Sequence, residues 1–459
     1  LFSFQTFGQG NGWEWQNPKP TGQILYDIQF LNNHIGWVVG NDGTILRTDD
    51  GGISWTKQNI GLADYILSAH FLDTLEGWVV GQNGNILHTT NGGIEWDPQI
   101  SGTGNFILDV YFNNSEIGWA CGTFGKILKT ENGGDTWVQQ VSGINSTIGD
   151  IHFSDSQNGY AVGPNGRIIR TTNGGSSWIL QNSTVGSDLT DVKCINSQTA
   201  YAIGMYGVIL KTTNGGTTWL SLAGAGSIYL DDAFFLSDQM GWIAAVSGKI
   251  LKTTNGGINW TLHQAPTDEG LFSIQFLDSL NGWTSGVNGV ICKTSDGGVN
   301  WTKVSIGETY DLLSACFPTQ FCGFAVGEKG TFLKTGNGGN SWNYSNCGTE
   351  NSLQSIHFID SLIGWVVGDN GTILKTTNAG ISWTNQALGS SRKLNSVTFY
   401  NSLKGWAVGD SGTVIKTTNG GQNWQILVSG SDYNLNSVFF ADSLLGWVSG
   451  ESGTILKTT

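Results

Sequence analysis

The chain has 459 residues, with 21 Lys and Arg against 35 Asp and Glu and a formal net charge of −14. That balance excludes nucleic acid and anionic membrane surfaces as partners, since both demand basic patches. Charged residues make up only 12%, well under the roughly 25% of ordinary soluble domains, while 68 Gly and 20 Trp beside 6 Pro imply many tight turns and much aromatic packing.

Taken in order, residues 1–11 are apolar and end in small polar residues, which reads as the remnant of a secretory signal or an N-terminal extension. No run of 18 apolar residues occurs, so no membrane span is expected. From residue 12 to residue 459 the chain is one repeat array. Its anchors are Trp37, Trp78, Trp119, Tyr160, Tyr201, Trp242, Trp283, Phe324, Trp365, Trp406 and Trp447, each 41 positions after the last. A fixed period of this size marks a repeat architecture.

One unit, residues 353–386, shows four short β-like runs. LQSIHFID alternates in polarity, as a strand with two unlike faces does. GWVVG and GTILKTT follow, joined through Asp369-Asn370 and bracketed by Gly368 and Gly371, which suits a tight hairpin with φ > 0. TTNAG then turns the chain into ISWTNQ, with Asn closing an Asx-turn and Gly accepting a left-handed conformation. Four strands in 41 residues make one antiparallel propeller blade, and no helical period appears, so the fold class is all-β.

The turn has the form Thr-x-Asn/Asp-x-Gly-x-x-Trp in ten copies, from TDDGGISW (48–55) through TTNGGTTW (212–219) to TTNGGQNW (417–424). It resembles the Asp-box, or bacterial neuraminidase repeat. With the preceding GWxxGxxGxIxKT, the unit is similar to the photosystem II assembly and stability factor propellers. The resemblance implies a propeller fold and a role in chaperoning or docking another protein. Asp-box propellers also include sialidases, xyloglucan-degrading enzymes and sortilin-type receptors, so fold alone does not settle chemistry. Most copies carry Asn where the name-giving Asp stands, as Asp50 does in the first, and the box reads as a turn device. Its Trp residues, Trp55, Trp96, Trp137, Trp178, Trp219, Trp260, Trp301, Trp342, Trp383 and Trp424, are expected to be structural.

Two positions recur as rings. Ten residues before the anchor stands Asp27, Ser68, Asp109, Asp150, Asp191, Asp232, Ser273, Ser314, Ser355, Ser396 or Ser437, on the strand expected to be innermost. Ten residues after it stands a basic residue, from Arg47 and His88 to Lys457. These are either charged belts that hold ligands or repeated hydrogen bonds between blades, with Lys stems lying along Trp. The second reading is favoured, because a site is usually unique and these positions are not. Departures are better site candidates. Two residues beyond the Asp/Ser position stand His70, Tyr111, His152, Lys193 and His357 among others, on the same strand face. His70 and His152 are two units apart and His357 is remote from both, which argues against a shared metal. The loops after each fourth strand, such as TLHQAPTDEGL after Trp260, are the default binding surface.

Of the cysteines, Cys121, Cys194 and Cys292 read as small buried thiols. Cys316 and Cys322 flank a turn they could bridge, with Cys347 a competitor. A sialidase clamps a carboxylate with three Arg from separate blades. Only Arg47, Arg167, Arg170 and Arg392 exist, and Arg47 and Arg170 occupy the ordinary basic position. Asp231-Asp232 and Asp268-Glu269 are the densest acidic spots, yet neither stands out as a glycosidase pair. No phosphate loop, metal motif or Ser-His-Asp signature appears. The expected function is a non-enzymatic, extracytoplasmic scaffold for a protein or glycan ligand, with no cofactor, metal or catalytic residue; a carbohydrate-binding or glycoside-hydrolase propeller is the alternative.

The last unit stops at KTT, before its Trp, while Trp15 in NGWEWQNPKPTG stands almost where a fourth-strand Trp belongs. The expectation is therefore a single, monomeric ring of eleven blades, closed by residues 12–18 pairing into 434–459; two smaller rings, such as five plus six blades, are the rival. With inner strands roughly 10 Å apart, eleven blades imply an open channel of radius about 17 Å.

Overall fold

The computed structural model describes residues 20–458, apart from 225, 306–309, 340, 387–390 and 442. Eleven antiparallel sheets follow one another along the chain, ten of four strands and the last of three, each with its strands in sequence order. In blade 1 these are Leu25–Phe30, Gly36–Gly40, Thr44–Thr48 and Thr56–Gln58. The second strand of blade 1 is buried throughout, as a strand sandwiched between two neighbouring blades must be.

The hairpin joining strands two and three uses its glycines for two different purposes. Asp42 (φ 52°) and Gly43 (φ 60°) both take the left-handed conformation of a tight hairpin turn. Gly40, by contrast, needs no positive φ. A Cβ there would lie 2.1 Å from the Ile24 carbonyl, so the strand passes too close to its neighbour for any side chain. The expectation of paired positive φ thus holds for the second glycine and is corrected at the first.

Blade joins blade through a repeated aromatic contact. Trp37 stacks on Phe71 of the next blade at 3.8 Å between ring centroids, and Phe71 meets the box Trp96 edge-on at 6.0 Å. Trp78–Phe112, Trp119–Phe153 and Trp242–Phe276 repeat the stack at 3.6–3.7 Å. Each such pair contributes roughly 0.5–1.5 kcal/mol beyond its buried area.

The all-β class and the eleven blades are as expected; the closure is not that of a single eleven-bladed ring. The innermost strand of blade 7, Leu271–Phe276, packs beside that of blade 1. The Ile28 N–H donates to Ser273 Oγ (3.3 Å), and Gln275 brackets the Phe30 backbone, its Nε2 donating to the Phe30 carbonyl at 3.0 Å. Blades 1–7 therefore form a closed ring within the compact unit Lys19–Ile306. Blades 8–11 belong to a second unit. In it, neighbouring blades pack as in the ring, and among the described residues the inner strand of blade 11 does not pack on that of blade 8 as blade 7 does on blade 1. The chain divides seven plus four, not five plus six. At the same strand spacing a seven-bladed ring has a backbone radius of about 11 Å, which side chains can fill. The strand expected from residues 12–18 lies outside the described residues, as does 1–11. No helix of the described residues is long and apolar enough to cross a membrane.

Candidate functional site

The ring's channel gathers the innermost strands of seven blades around a cavity of about 400 Å³. Asp27, Asp109, Asp150, Asp191, Asp232, His70, Tyr111, His152 and Lys193 all line it, as the repeat register predicts. His357 lies in the four-bladed unit and is no part of this site.

The aspartates act as latches. The Ala69 N–H donates to Asp27 Oδ2 (2.9 Å), and Ile151 N–H to Asp109 Oδ2 (3.0 Å). Asp150, Asp191 and Asp232 accept from Val192, Ala233 and Ile274 N–H in the same way, at 2.8–3.0 Å. In the second unit Ser355 and Ser396 accept from Val397 and Val438, both at 3.2 Å. At these junctions one blade thus holds the first strand of the next through one short oxygen-bearing side chain, while Ser68 instead donates to Asp109 Oδ1 (2.7 Å). The basic position is equally structural. Lys211 Nζ lies 4.9 Å from the Tyr201 ring centre and donates to the Gly256 carbonyl of the next box (3.0 Å). Tyr201 Oη donates to that same carbonyl (3.1 Å). Lys375 repeats this over Trp365, reaching the Gly420 carbonyl at 2.9 Å.

Lys193 departs from this pattern. Its ammonium sits in the channel, 2.7 Å from Asp191 Oδ1 and 3.2 Å from Asp232 Oδ1. Burial works against its charge, but Asp191, Asp232 and Asp150 outweigh burial and raise its pKa well above the ordinary value. One ammonium does not neutralise five aspartates. Burial pushes Asp109 up to about 6 and holds Asp150 well above the carboxylate range. On the strands of blades 2 to 4, Tyr111 stands between His70 (5.1 Å) and His152 (4.8 Å). Burial lowers His70 to about 4 and His152 to about 3, so both rings are neutral at pH 7. His152 Nδ1 accepts from the Cys194 N–H (3.3 Å), which, with Tyr111 between the two rings, leaves no shared metal position for the pair.

Sequence reasoning missed Asp231 as a channel residue. The first strand of blade 6 carries a bulge between Leu230 and Asp232, and Asp231 lines the channel beside Asp232. Burial, with Asp232 adjacent, raises Asp231 to about 7. The doublet Asp231-Asp232 was the only available signal. Gln29 and Gln275, which stand at the same variable position as His70 and Lys193, bind blade 2 and blade 1: Gln29 Nε2 donates to the Phe71 carbonyl (3.0 Å) and Gln275 Nε2 to that of Phe30.

The Asp-box is a turn device. In TENGGDTW, Thr130 Oγ1 donates to Asn132 Oδ1 (2.9 Å) and accepts from the Gly134 N–H (2.8 Å), while Asn132 Oδ1 caps the Thr136 N–H (3.0 Å). In the first copy Asp50 caps Ser54 N–H at 2.9 Å. Trp178, Trp219 and Trp301 are buried, and the others are half-buried against the blade-joining Phe. All six cysteines are free thiols, so neither of the bridges open to Cys316, with Cys322 or with Cys347, is made.

Four-stranded blades latched by inner Asp and Ser and turned by Asp-boxes define a neuraminidase-repeat propeller. The chain belongs to the photosynthesis system II assembly factor YCF48 family, whose model matches residues 9–100, 139–225, 224–311, 308–395 and 389–459. It is similar to the chloroplastic photosystem II stability/assembly factor HCF136 of Guillardia theta, 34% identical over 64 residues (13% of this chain, 16% of the relative). The same factor from Cyanidioschyzon merolae (strain NIES-3377 / 10D) is 46% identical over 50 residues, 10% of this chain and 11% of the relative. The chain thus aligns with well under a fifth of either relative's length. Among solved structures, YCF48 bound to D1 peptide is 22% identical with a TM-score of 0.54, covering 61% of this chain and 95% of that one. An ancestral GH74 enzyme is 12% identical with a TM-score of 0.70, covering 98% and 76%. At these identities the two structures establish likeness of fold.

Proposed function

We propose that this chain is a non-enzymatic docking scaffold that holds a segment of another protein, in the manner of the assembly factors. One observation carries the reading: five of the six channel carboxylates, Asp27, Asp109, Asp150, Asp191 and Asp232, serve as blade-to-blade latches, each with an oxygen on a backbone N–H of the next blade, which leaves Asp231 without a second unlatched carboxylate to work with. Hydrolysis needs a free acid and a free base or nucleophile facing one bond. Family membership supports a protein client, and the related YCF48 bound to D1 peptide makes an extended peptide the first ligand class to try. The docking surface in this proposal is the face carrying the loops between blades. An extracytoplasmic setting rests on the acidic, Trp-rich composition alone, since the free thiols add nothing to it.

The test pairs two measurements on the full chain. Labelled D1 peptide titrated in fluorescence anisotropy should bind saturably, and xyloglucan and sialoside panels should show no turnover above blank. Turnover abolished by a single Asp or Glu substitution, or no peptide binding, overturns the reading.

A further inference from the structure

The channel of the seven-bladed ring has a rim that the latch positions do not account for. In all ring blades but the fourth, the first strand bulges just after the loop that enters it, and the extra residue lines the cavity. That residue is Tyr26, Leu67 or Leu108 in blades 1–3, Thr190 or Asp231 in blades 5 and 6, and Phe272 in blade 7. The rim is therefore two-sided. Phe272, Tyr26, Leu67 and Leu108 follow one another across the seam as an apolar arc, and within it Tyr26 stacks on Phe272 at 5.9 Å with an interplanar angle of 24°. Asp231 stands at the end of that arc, because the first strands of blades 6, 7 and 1 pack side by side. Its carboxyl has no hydrogen-bond or ion-pair partner among the described residues, and its Oδ2 is closed off from solvent. Thr190, at the same position one blade earlier, donates its hydroxyl to the Leu230 carbonyl (2.9 Å). Lys193, the cation of the channel, is committed to Asp191 and Asp232. A largely buried carboxyl without a partner destabilises the fold, and nothing in the ring offsets it, which points to a partner outside the ring.

We propose that this rim seats a primary ammonium on an alkyl stem, the side chain of a lysine in the client segment. The ammonium rests between the Asp231 carboxyl and the face of Phe272, where a carboxylate and an aromatic ring both attract it. The methylene stem runs along Tyr26 and Leu67. Three observations select this occupant. Six aspartates and one lysine line the cavity, so its field draws positive charge. That lysine shows that the channel accepts an ammonium, since Lys193 Nζ lies 2.7 Å from Asp191 Oδ1. The apolar arc beside Asp231 covers a hydrocarbon stem, which a bare inorganic cation lacks. The inference rests on the docking function proposed above, and the rim belongs to the same face, where the loops between blades enter the first strands.

Isothermal titration calorimetry of the full chain tests it with a blocked pentapeptide carrying one central lysine, the same peptide with that lysine Nε-acetylated, and free cadaverine. The lysine peptide should bind saturably, and acetylation, which removes the charge, should weaken it about tenfold or more. Asp231→Asn should produce the same loss with the melting transition retained, and Phe272→Leu a smaller one. Cadaverine, which lacks the peptide backbone, should bind more weakly than the lysine peptide. Labelled D1 peptide run in parallel separates this inference from the docking reading. If D1 peptide binds wild type and Asp231→Asn alike while the lysine peptide does not bind, the lysine seat is overturned and docking stands. If neither peptide binds, both are overturned. Equal affinity for the free and acetylated lysine peptides, or tighter binding of cadaverine than of the lysine peptide, also overturns the proposal, and neither outcome depends on a variant that folds.

Discussion

The indole of Trp283 lies parallel to the phenyl ring of Phe30, at an interplanar angle of 13°, and this contact between blades 7 and 1 seals the ring. Trp283 is fully buried. Trp283→Ala should therefore cost about 3–5 kcal/mol, read as a lower denaturant midpoint. Trp447→Ala, at a half-buried anchor, should cost far less in the isolated chain. Equal losses would show that the seam is not what stabilises the ring.

The box Trp residues should matter for stability and not for ligand. Trp219 is 3% exposed and meets Tyr160 edge-on at 5.6 Å. Trp219→Ala should cost about 3–5 kcal/mol, with peptide affinity of the folded fraction unchanged. A fully stable variant that no longer binds would reverse that assignment.

Within the box, the Thr hydroxyl is the hub. Thr130→Val keeps the volume and removes the three hydroxyl hydrogen bonds, to Asn132 Oδ1 and from the Asn132 and Gly134 N–H groups, of a residue that is 1% exposed. The Gly134 N–H is then buried without a partner, a loss of about 1–3 kcal/mol. Thr130→Ser should retain most of the stability, and thermal melts of the three proteins decide.

Acidification should strain the channel through its histidines. His70 and His152 titrate at about 4 and about 3 in the fold against 6.5 when unfolded. A folded pKa below the unfolded one contributes stability that is present above pH 6.5 and is lost as pH falls toward 4. Each group accounts for up to roughly 3 kcal/mol, less where channel water reaches the ring. Asp109, raised to about 6 by burial, acts in the opposite sense below that pH, so the histidine effect is read as a difference. A His70→Gln/His152→Gln variant should lose less stability than wild type between pH 7 and pH 4.5. Parallel curves would contradict the assignment.

Much of this molecule was legible because a 41-residue period writes each contact many times over. The aspartate latches, the cations over the anchors and the box turns follow from register alone, and so does the channel placement of Lys193 and His152. Ring closure does not. Trp283 has two chemically equivalent partners, Phe317 ahead of it and Phe30 behind it, and the choice is made by curvature summed over seven blades. No single residue records that sum. Asp231 was hidden for a different reason. Alternation assigns it to the face opposite Asp232, and only the bulge between Leu230 and Asp232 brings it into the channel. The strand-end glycines were half legible, since Gly43 answers to a left-handed turn while Gly40 answers to the nearness of the Ile24 carbonyl.

The seam between Trp283 and Phe30 uses no residue type that the interior junctions lack. A circle whose joints are interchangeable has no privileged starting point. New termini opened between blades 3 and 4, with the old ends tied by a short linker, should give a ring that folds to the same closed form. By the same logic, whole units can be gained or lost by duplication without redesigning any joint. The count at which the circle shuts then belongs to the geometry of the stack.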